Sequence, residues 1–276
     1  WSLMPLLLLI VGYGSVILTW RDIGYAWDES YYYEPAQKAA DWLTAALRGE
    51  KPFDRASIDT YWEERSEHPS VQKLLSGIAM RAFPEPQDHL FAMRLPIAIL
   101  FGLSLTLIYQ LGRRMTGNVP ALAAALMYGT MPQIFGYAHF ATMETPVVFM
   151  MLLVTLCYLR GLDSPFWAVM TGISFGLLLA TKINGFFLPV ALVTWGHLYA
   201  RRQHVNNLMA LLILGPICFV LAWPWLWHDT AMRILQYLAF HAAHQKTAVY
   251  FLGQMWGLEG PNAPWFYPPM MIAVTT

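Results

Sequence analysis

Long apolar runs without charged residues alternate with short polar segments along most of the chain. A run of about 17 to 25 apolar residues can cross the roughly 30 Å hydrocarbon layer of a membrane as a helix. The pattern predicts seven such spans and the start of an eighth near residue 265; the seven are residues 2–20, 95–112, 119–138, 144–160, 165–181, 183–200 and 207–227. The sequence therefore predicts an all-α integral membrane protein, a polytopic helical bundle with about seven or eight spans in residues 1–276.

The longest polar stretch, residues 21–94, separates the first two spans and contains 13 of the 17 acidic residues. Within it, apolar positions recur at helical spacing over residues 35–47 and 69–82, which predicts two amphipathic helices. Pro35 stands near the start of the first helix and Gly49 just beyond its end. We interpret residues 21–94 as a solvated loop domain whose helices lie on the membrane surface or on the bundle.

Basic residues in short loops orient the bundle, because Lys and Arg accumulate on the cytoplasmic side of a membrane. The basic residues of the short loops follow the second, fourth and sixth spans, and they are Arg113, Arg114, Arg160, Arg201 and Arg202. With these ends in the cytoplasm, residues 21–94 and a second polar segment, 228–264, lie on the outer face. We therefore predict one membrane core over residues 1–276 that carries these two outer segments.

Composition agrees with the membrane assignment: 57% of the 276 residues are hydrophobic and 12% are charged. That balance excludes a disordered chain. Seventeen basic residues match seventeen acidic ones, so no net field favours nucleic acid. The chain starts with Trp1 and ends inside an apolar run, from which we expect a longer protein that continues beyond residue 276.

Residues 27–34, with the sequence WDESYYYE, combine three acids with four aromatic residues shortly after the first span. A carboxylate held against aromatic rings loses solvation and becomes a better proton acceptor, and aromatic rings also provide platforms for sugars. Asp28 and Glu29 are thus candidates for acid–base chemistry. The alternative is a solvated loop in which the acids pair with Arg21 or Lys38.

Residues 68–73, with the sequence HPSVQK, place His68 just before the second predicted helix and Lys73 in its first turn. Free N–H groups at a helix start together with a cation form an anion site that suits phosphate. The alternative for Lys73 is a solvated side chain on a surface helix.

Two isolated charges interrupt the apolar part of the chain: Glu144 borders the fourth span, and Lys182 stands between the fifth and sixth. Ionisable residues at such positions are functional candidates. If Glu144 faces the bundle, we expect it to contact Asp28 or Lys182. The alternatives are a carboxylate that reaches interfacial water and an ammonium group that extends to lipid headgroups.

The histidines of the second outer segment, His228, His241 and His244, have no cysteine or acid at ligand spacing. We therefore predict no zinc site there.

Taken in chain order, these motifs resemble the glycosyltransferase C superfamily, specifically the protein O-mannosyltransferase and aminoarabinose transferase group. Asp28-Glu29 resembles the Asp-Glu pair of the first outer loop, and residues 68–73 are similar to the pattern His-Pro-Pro-Leu-Gly-Lys. Further resemblances are Arg94-Leu95-Pro96, the segment around Glu144, Ala180-Thr181-Lys182 and Pro264-Trp265-Phe266-Tyr267. Ser70 and Gln72 depart from the family pattern, and Glu144 stands where Asp is common.

The resemblance implies inverting transfer of a sugar from a polyprenyl-phosphate donor to an acceptor hydroxyl on the periplasmic or lumenal face, with the protein in a bacterial inner membrane. It implies Asp28 as base with Glu29 beside it, Glu144 as helper or sugar-hydroxyl acceptor, and Lys73 and Lys182 as phosphate contacts. The full set of implied substrate-binding residues is His68, Lys73, Arg94, His139, Lys182 and Tyr267. The scheme requires neither a nucleotide nor a divalent metal, and its partners are the lipid-linked sugar, an acceptor glycan, lipid or protein, and possible membrane subunits.

The sequence is also compatible with two other functions. A non-catalytic membrane subunit with the same fold is favoured by the altered motif at residues 68–73. A transporter that uses Glu144 and Lys182 is disfavoured, because both map to span ends rather than to the middle of the membrane.

Overall fold

The computed structural model describes residues 1–83, 85–200, 204–243, 248–257 and 262–275. Arg201, Arg202 and His244 lie outside the described residues. The described helices are α1 (Met4–Thr19), α2 (Trp27–Leu47), α3 (Arg55–Trp62), α4 (Ser70–Arg81), α5 (His89–Thr116), α6 (Asn118–Thr130), α7 (Pro132–Tyr137), α8 (Glu144–Gly161), α9 (Pro165–Leu179), α10 (Leu188–Tyr199), α11 (Val205–Ala222), α12 (Thr230–Ala242) and α13 (Tyr267–Thr275). The strands β1 (Val249–Phe251) and β2 (Gln254–Trp256) form an antiparallel hairpin.

The all-α membrane architecture predicted from the apolar runs is confirmed. Within the described residues, four helical segments are long and apolar enough to cross a membrane, and α9 is a shorter apolar helix; the four are Met4–Asp22, Pro86–Thr116, Glu144–Gly161 and Val205–Ala222. The predicted count of seven or eight spans stays a prediction.

Two of the predicted spans are interrupted helices. The run 119–138 is divided into α6 and α7 at Met131, which is extended with φ −63° and ψ 121°. Met131 precedes Pro132, whose ring disfavours helical backbone at the residue before it. The run 183–200 begins with a 3₁₀ turn at Ile183–Phe187 before α10 starts at Leu188.

Glycines allow the membrane helices to pack closely, as is common between helices in lipid. A Cβ on Gly12 of α1 would lie 2.8 Å from the Cα of Gly102 of α5, so the two backbones are in direct contact there. Gly172 of α9 has the same relation to α11, where its Cβ would lie 2.6 Å from the carbonyl oxygen of Ala210.

The outer loop contains both predicted amphipathic helices, but the first begins earlier than predicted. It starts at Trp27 rather than at Pro35, which lies inside α2. The Glu29 side chain accepts a hydrogen bond from the Ala26 N–H at 2.9 Å and so satisfies one of the free donors at the helix start. The prediction of a helix over residues 69–82 is confirmed by α4, which packs on α2 where Gly77 meets the Ala36 carbonyl.

The chain divides into two compact units, Trp1–Thr230 and Ala231–Thr276. The first contains α1 to α11 and the outer loop. In the second, the hairpin turns at Leu252 and Gly253, which have φ values of 50° and 81°. Positive φ at both central residues is typical of tight hairpin turns.

Candidate functional site

Asp28 lies in the first turn of α2 with its side chain exposed. In the part of the chain that the structure describes, its carboxylate has neither a hydrogen-bond nor an ion-pair partner. Trp27 is 76% exposed beside it, and its ring lies 5.8 Å from that of Tyr31. The acid predicted as base is thus open to an incoming molecule and flanked by aromatic rings.

Glu29, the neighbouring acid, is buried and fully engaged. Its two carboxylate oxygens accept hydrogen bonds from Arg94 Nε at 2.8 Å and Arg94 Nη2 at 2.7 Å. Backbone N–H groups of Ala26 and Ala141 each donate to it at 2.9 Å. With four donors on one carboxylate and 0% exposure, Glu29 can stabilise the site but has no free position for a substrate proton.

Arg94 extends this network to the segment that leaves the first span. Its guanidinium donates to the carbonyl oxygens of Trp20, Ile23 and Gly24 at 2.7 to 3.1 Å, and the residue is 1% exposed. The three guanidinium nitrogens of Arg94 therefore all donate to acceptors within the protein. The sequence indicated both Glu29 and Arg94 as site residues, but it contained no signal that they pair, because 65 positions separate them.

Glu144 and Lys182 form the ion pair that was expected if Glu144 faces the bundle. Lys182 Nζ lies 2.8 Å from Glu144 Oε1, and the two side chains are 26% and 34% exposed. Glu144 begins α8, and Lys182 follows the end of α9, so the pair joins two helix ends. Both side chains therefore remain partly exposed.

The start of α4 attaches to the ends of α9 and α11. The N–H of Val71 donates to the carbonyl oxygen of Ala180 at 3.0 Å, and the Ser70 hydroxyl donates to the carbonyl oxygen of Ala222. The Val71 N–H, one of the helix-start donors that the sequence suggested for anion binding, thus has a protein partner. The motif at residues 68–73 positions the outer loop on the membrane helices.

Tyr32 is a buried neighbour of the charged groups, although it was not among the predicted site residues. It is 7% exposed, and its ring lies 5.3 Å from that of His68. Burial raises the pKa of Tyr32, and the nearby charges of Glu144, Asp28 and Glu67 raise it further, while Arg65 acts against them. Tyr32 also belongs to the same buried cluster as Met143, the residue before Glu144. The position of Tyr32 one helical turn after Asp28 was the signal that could have identified it.

Lys73 is buried rather than solvated, with 1% exposure. Its ammonium donates to the carbonyl oxygens of Arg65 at 2.8 Å and Glu64 at 3.3 Å. Burial lowers the pKa of Lys73 to about 7, against the opposing effect of Glu67 and Glu64. Its role as a phosphate contact stays a prediction, and in this conformation its donors point to protein carbonyls.

The buried Lys73 predicts a specific pH dependence of stability. Between pH 7 and pH 9 the unfolded chain keeps the lysine proton while the folded protein releases it, so the free energy of unfolding rises with pH. We expect this contribution to increase by about 2 kcal/mol over that window. Unfolding measured at several pH values should show this rise in the free energy of unfolding for the wild type and not for Lys73→Met. The same substitution at the exposed Lys51 is the control, and an equal loss of pH dependence in both variants would contradict the assignment.

The other predicted residues, His139 and Tyr267, have contacts within their own units. His139 is 1% exposed, with Nε2 2.8 Å from Thr19 Oγ1 and Nδ1 2.8 Å from the Phe135 carbonyl oxygen. Tyr267 belongs to the second unit, where its ring packs 4.9 Å from that of Phe251. Among the described residues, no group of three or more His, Cys, Asp or Glu side chains is arranged to hold a metal.

Comparison with known proteins places the chain in a family. Residues 67–228, more than half of the chain, match the sequence model of the family described as dolichyl-phosphate-mannose-protein mannosyltransferase. The matched range includes Lys73, Arg94, Glu144 and Lys182, whereas Asp28 and Glu29 precede it.

Two curated bacterial relatives extend the comparison to most of the chain. An undecaprenyl phosphate-alpha-4-amino-4-deoxy-L-arabinose arabinosyl transferase of Pseudomonas aeruginosa (strain UCBPP-PA14) is 22% identical over 280 residues, covering 96% of this chain and 47% of the relative. A second relative is the undecaprenyl phosphate-alpha-4-amino-4-deoxy-L-arabinose arabinosyl transferase 1 of Pseudomonas fluorescens (strain Pf0-1). It is 24% identical over 260 residues, covering 90% of this chain and 42% of the relative. The chain thus spans less than half the length of these relatives.

No solved structure matches the chain. The family match agrees with the resemblance found in the motifs. The chain belongs to the dolichyl-phosphate-mannose-protein mannosyltransferase family.

Proposed function

We propose that the protein is a membrane glycosyltransferase that moves a sugar from a polyprenyl-phosphate donor to an acceptor hydroxyl. The observation that carries the proposal is the exposed carboxylate of Asp28, which has no partner among the described residues. It lies one helical turn before the buried Tyr32, which belongs to the same buried cluster as Met143, the residue before the ion-paired Glu144. The printed names of the two relatives, which describe transferases of a sugar from undecaprenyl phosphate, support the donor class.

The proposed reaction is a single displacement. The Asp28 carboxylate accepts the proton of the acceptor hydroxyl, and the acceptor oxygen forms a bond to the anomeric carbon of the sugar. The bond between that carbon and the phosphate oxygen breaks, and its electron pair stays on the phosphate, where a cation stabilises the charge. One displacement inverts the anomeric configuration.

Each member of the cluster has a role in this scheme. Lys182 lies next to the leaving phosphate, and Glu144 holds its ammonium in place while its partly exposed carboxylate accepts a sugar hydroxyl. Glu29 and Arg94 act as positioning residues, since their donors and acceptors are satisfied within the protein. This differs from the catalytic role that the motif alone suggested for Glu29.

The site lies at the outer ends of the membrane helices under the topology predicted from the basic loops. In that topology the donor enters from the lipid and the acceptor from the periplasmic or lumenal water. We propose the bacterial inner membrane as the location, in line with the source of the two relatives.

The direct test is sugar transfer in membranes that contain the protein. We expect radiolabel to move from undecaprenyl-phosphate 4-amino-4-deoxy-L-arabinose, or from the same lipid carrying mannose, to an acceptor fraction, with inversion at the anomeric carbon. Membranes without the protein are the control. A product with retained configuration would exclude the single displacement, and absence of transfer with every lipid-linked sugar would favour the non-catalytic subunit.

A further inference from the structure

Residues 63–67 form a short segment that is held against α2 and α4 by contacts on several sides. The indole N–H of Trp225 donates to Glu63 at 2.7 Å, and Lys38 donates to Glu64 at 2.6 Å. The carbonyl groups of Glu64 and Arg65 accept hydrogen bonds from the buried Lys73. The backbone at Arg65 is therefore held in place by the contacts of its own segment.

Arg65 itself has an unusual backbone conformation, with φ 53°. Residues other than glycine seldom adopt positive φ, and those that do concentrate at functional sites. The conformation places the guanidinium carbon 4.1 Å from the centre of the Tyr31 ring. Tyr31 lies three residues after Asp28 on the same helix, so the two side chains occupy neighbouring positions on its surface.

Of the three cations Arg65, Arg94 and Lys182, Arg65 has the longest ion-pair distance. Arg94 is 2.7 Å from Glu29, and Lys182 is 2.8 Å from Glu144. The Arg65 guanidinium is 3.6 Å from its nearest carboxylate, that of Glu67, and its side chain is 41% exposed. A planar guanidinium stacked on an aromatic ring keeps its N–H edges free for an anion.

We propose that Arg65 binds the phosphate of the polyprenyl-phosphate donor, with Tyr31 as the platform that orients its guanidinium. This inference rests on the proposed function and adds a binding residue that none of the motifs contains. Arg65 would then contact the phosphate from the outer loop, and Lys182 would contact it from the end of the membrane helix α9. A fork of two N–H donors matches two phosphate oxygens.

The test is binding of undecaprenyl phosphate, without a sugar, to the full-length protein in nanodiscs. Arg65→Gly is the decisive variant, because glycine accepts the positive φ and the fold should be retained. We expect its affinity for undecaprenyl phosphate to fall by about tenfold or more, the effect of losing a charged hydrogen bond. Arg65→Lys should lose less, and Arg48→Gly, at an exposed arginine of the same loop, should bind as the wild type does.

Three further probes separate phosphate recognition from other causes. Undecaprenol, which lacks the phosphate, should bind the wild type and Arg65→Gly equally, and inorganic phosphate and phosphatidylglycerol vesicles should compete poorly. In transfer assays Arg65→Gly should raise KM for the donor more than it lowers kcat. Equal affinity of wild type and Arg65→Gly for undecaprenyl phosphate would overturn the inference, as would an equal loss of undecaprenol binding.

Asp28→Asn distinguishes this outcome from failure of the proposed function. That variant should bind undecaprenyl phosphate normally. If Arg65→Gly binds normally while Asp28→Asn is inactive, the role of Arg65 is wrong and the transferase proposal stands. If the wild type does not bind undecaprenyl phosphate at all, both proposals fail.

Discussion

Asp28→Asn is expected to lower the rate of sugar transfer by about 10² to 10⁴-fold, the usual contribution of a general base. The amide has nearly the shape of the carboxylate but cannot accept the proton of the acceptor hydroxyl. Because Asp28 is exposed and has no partner within the described residues, the substitution should leave folding unchanged. The measurement is kcat for transfer of the lipid-linked sugar, with unfolding temperature as the check on structure.

The matched control is Glu34→Gln on the same helix. Glu34 is 62% exposed and pairs with Lys38 one turn further along α2, so it tests the loss of an acid on this surface without touching the proposed base. We expect transfer within about twofold of the wild type, because such surface pairs contribute little energy. Wild-type turnover by Asp28→Asn would remove Asp28 as the base, whatever the result for Glu34→Gln.

Glu29→Ala is expected to have the largest effect on stability. It leaves the guanidinium of Arg94 buried without its counter-charge, which costs about 3 to 5 kcal/mol in the free energy of unfolding. It also removes the acceptor for the N–H groups of Ala26 and Ala141, so the start of α2 loses its attachment and Asp28 its fixed position. Unfolding in detergent and transfer activity should therefore decline together.

The partly exposed pair Lys38–Glu64 provides the comparison for Glu29→Ala. Both side chains are 34% exposed, and we expect Glu64→Ala to cost about 1 kcal/mol or less. A double-mutant cycle of Glu29→Ala with Arg94→Met isolates the energy of the buried pair. If Glu29→Ala is no more destabilising than Glu64→Ala, the network around Arg94 does not hold the site as proposed.

The membrane helices were predictable because the bilayer imposes a simple rule on sequence. A spanning segment must satisfy its backbone internally and present apolar side chains over its whole length, so α1, α5, α8 and α11 appear as runs. The break at Met131 is less evident, since Pro132 is compatible with either an interrupted helix or a kinked one. The length of an apolar run therefore identifies a membrane region more securely than it identifies a continuous helix.

The start of α2 illustrates a different difficulty. A proline at a helix start is common, and residue 35 satisfied that pattern. The true start, at Trp27, depends on the Glu29 carboxylate, which bonds to the Ala26 N–H while Arg94 holds it from the other side. A contact between residues far apart in the chain thus outweighed a local preference, and it placed Asp28 on a helix rather than in a loop.

The sequence by itself determined the class of protein, the outer loop and most of the candidate chemistry, because these depend on residue type and on spacing of a few positions. Asp28, Glu144 and Lys182 could all be selected as charges beside apolar segments. Tertiary structure alone decided which charges are available: Glu29, Arg94 and Lys73 are buried and bonded to protein groups, whereas Asp28 and Arg65 remain exposed. The physical reason is that desolvation and pairing depend on neighbours brought together by folding, and these neighbours lie far apart in the chain.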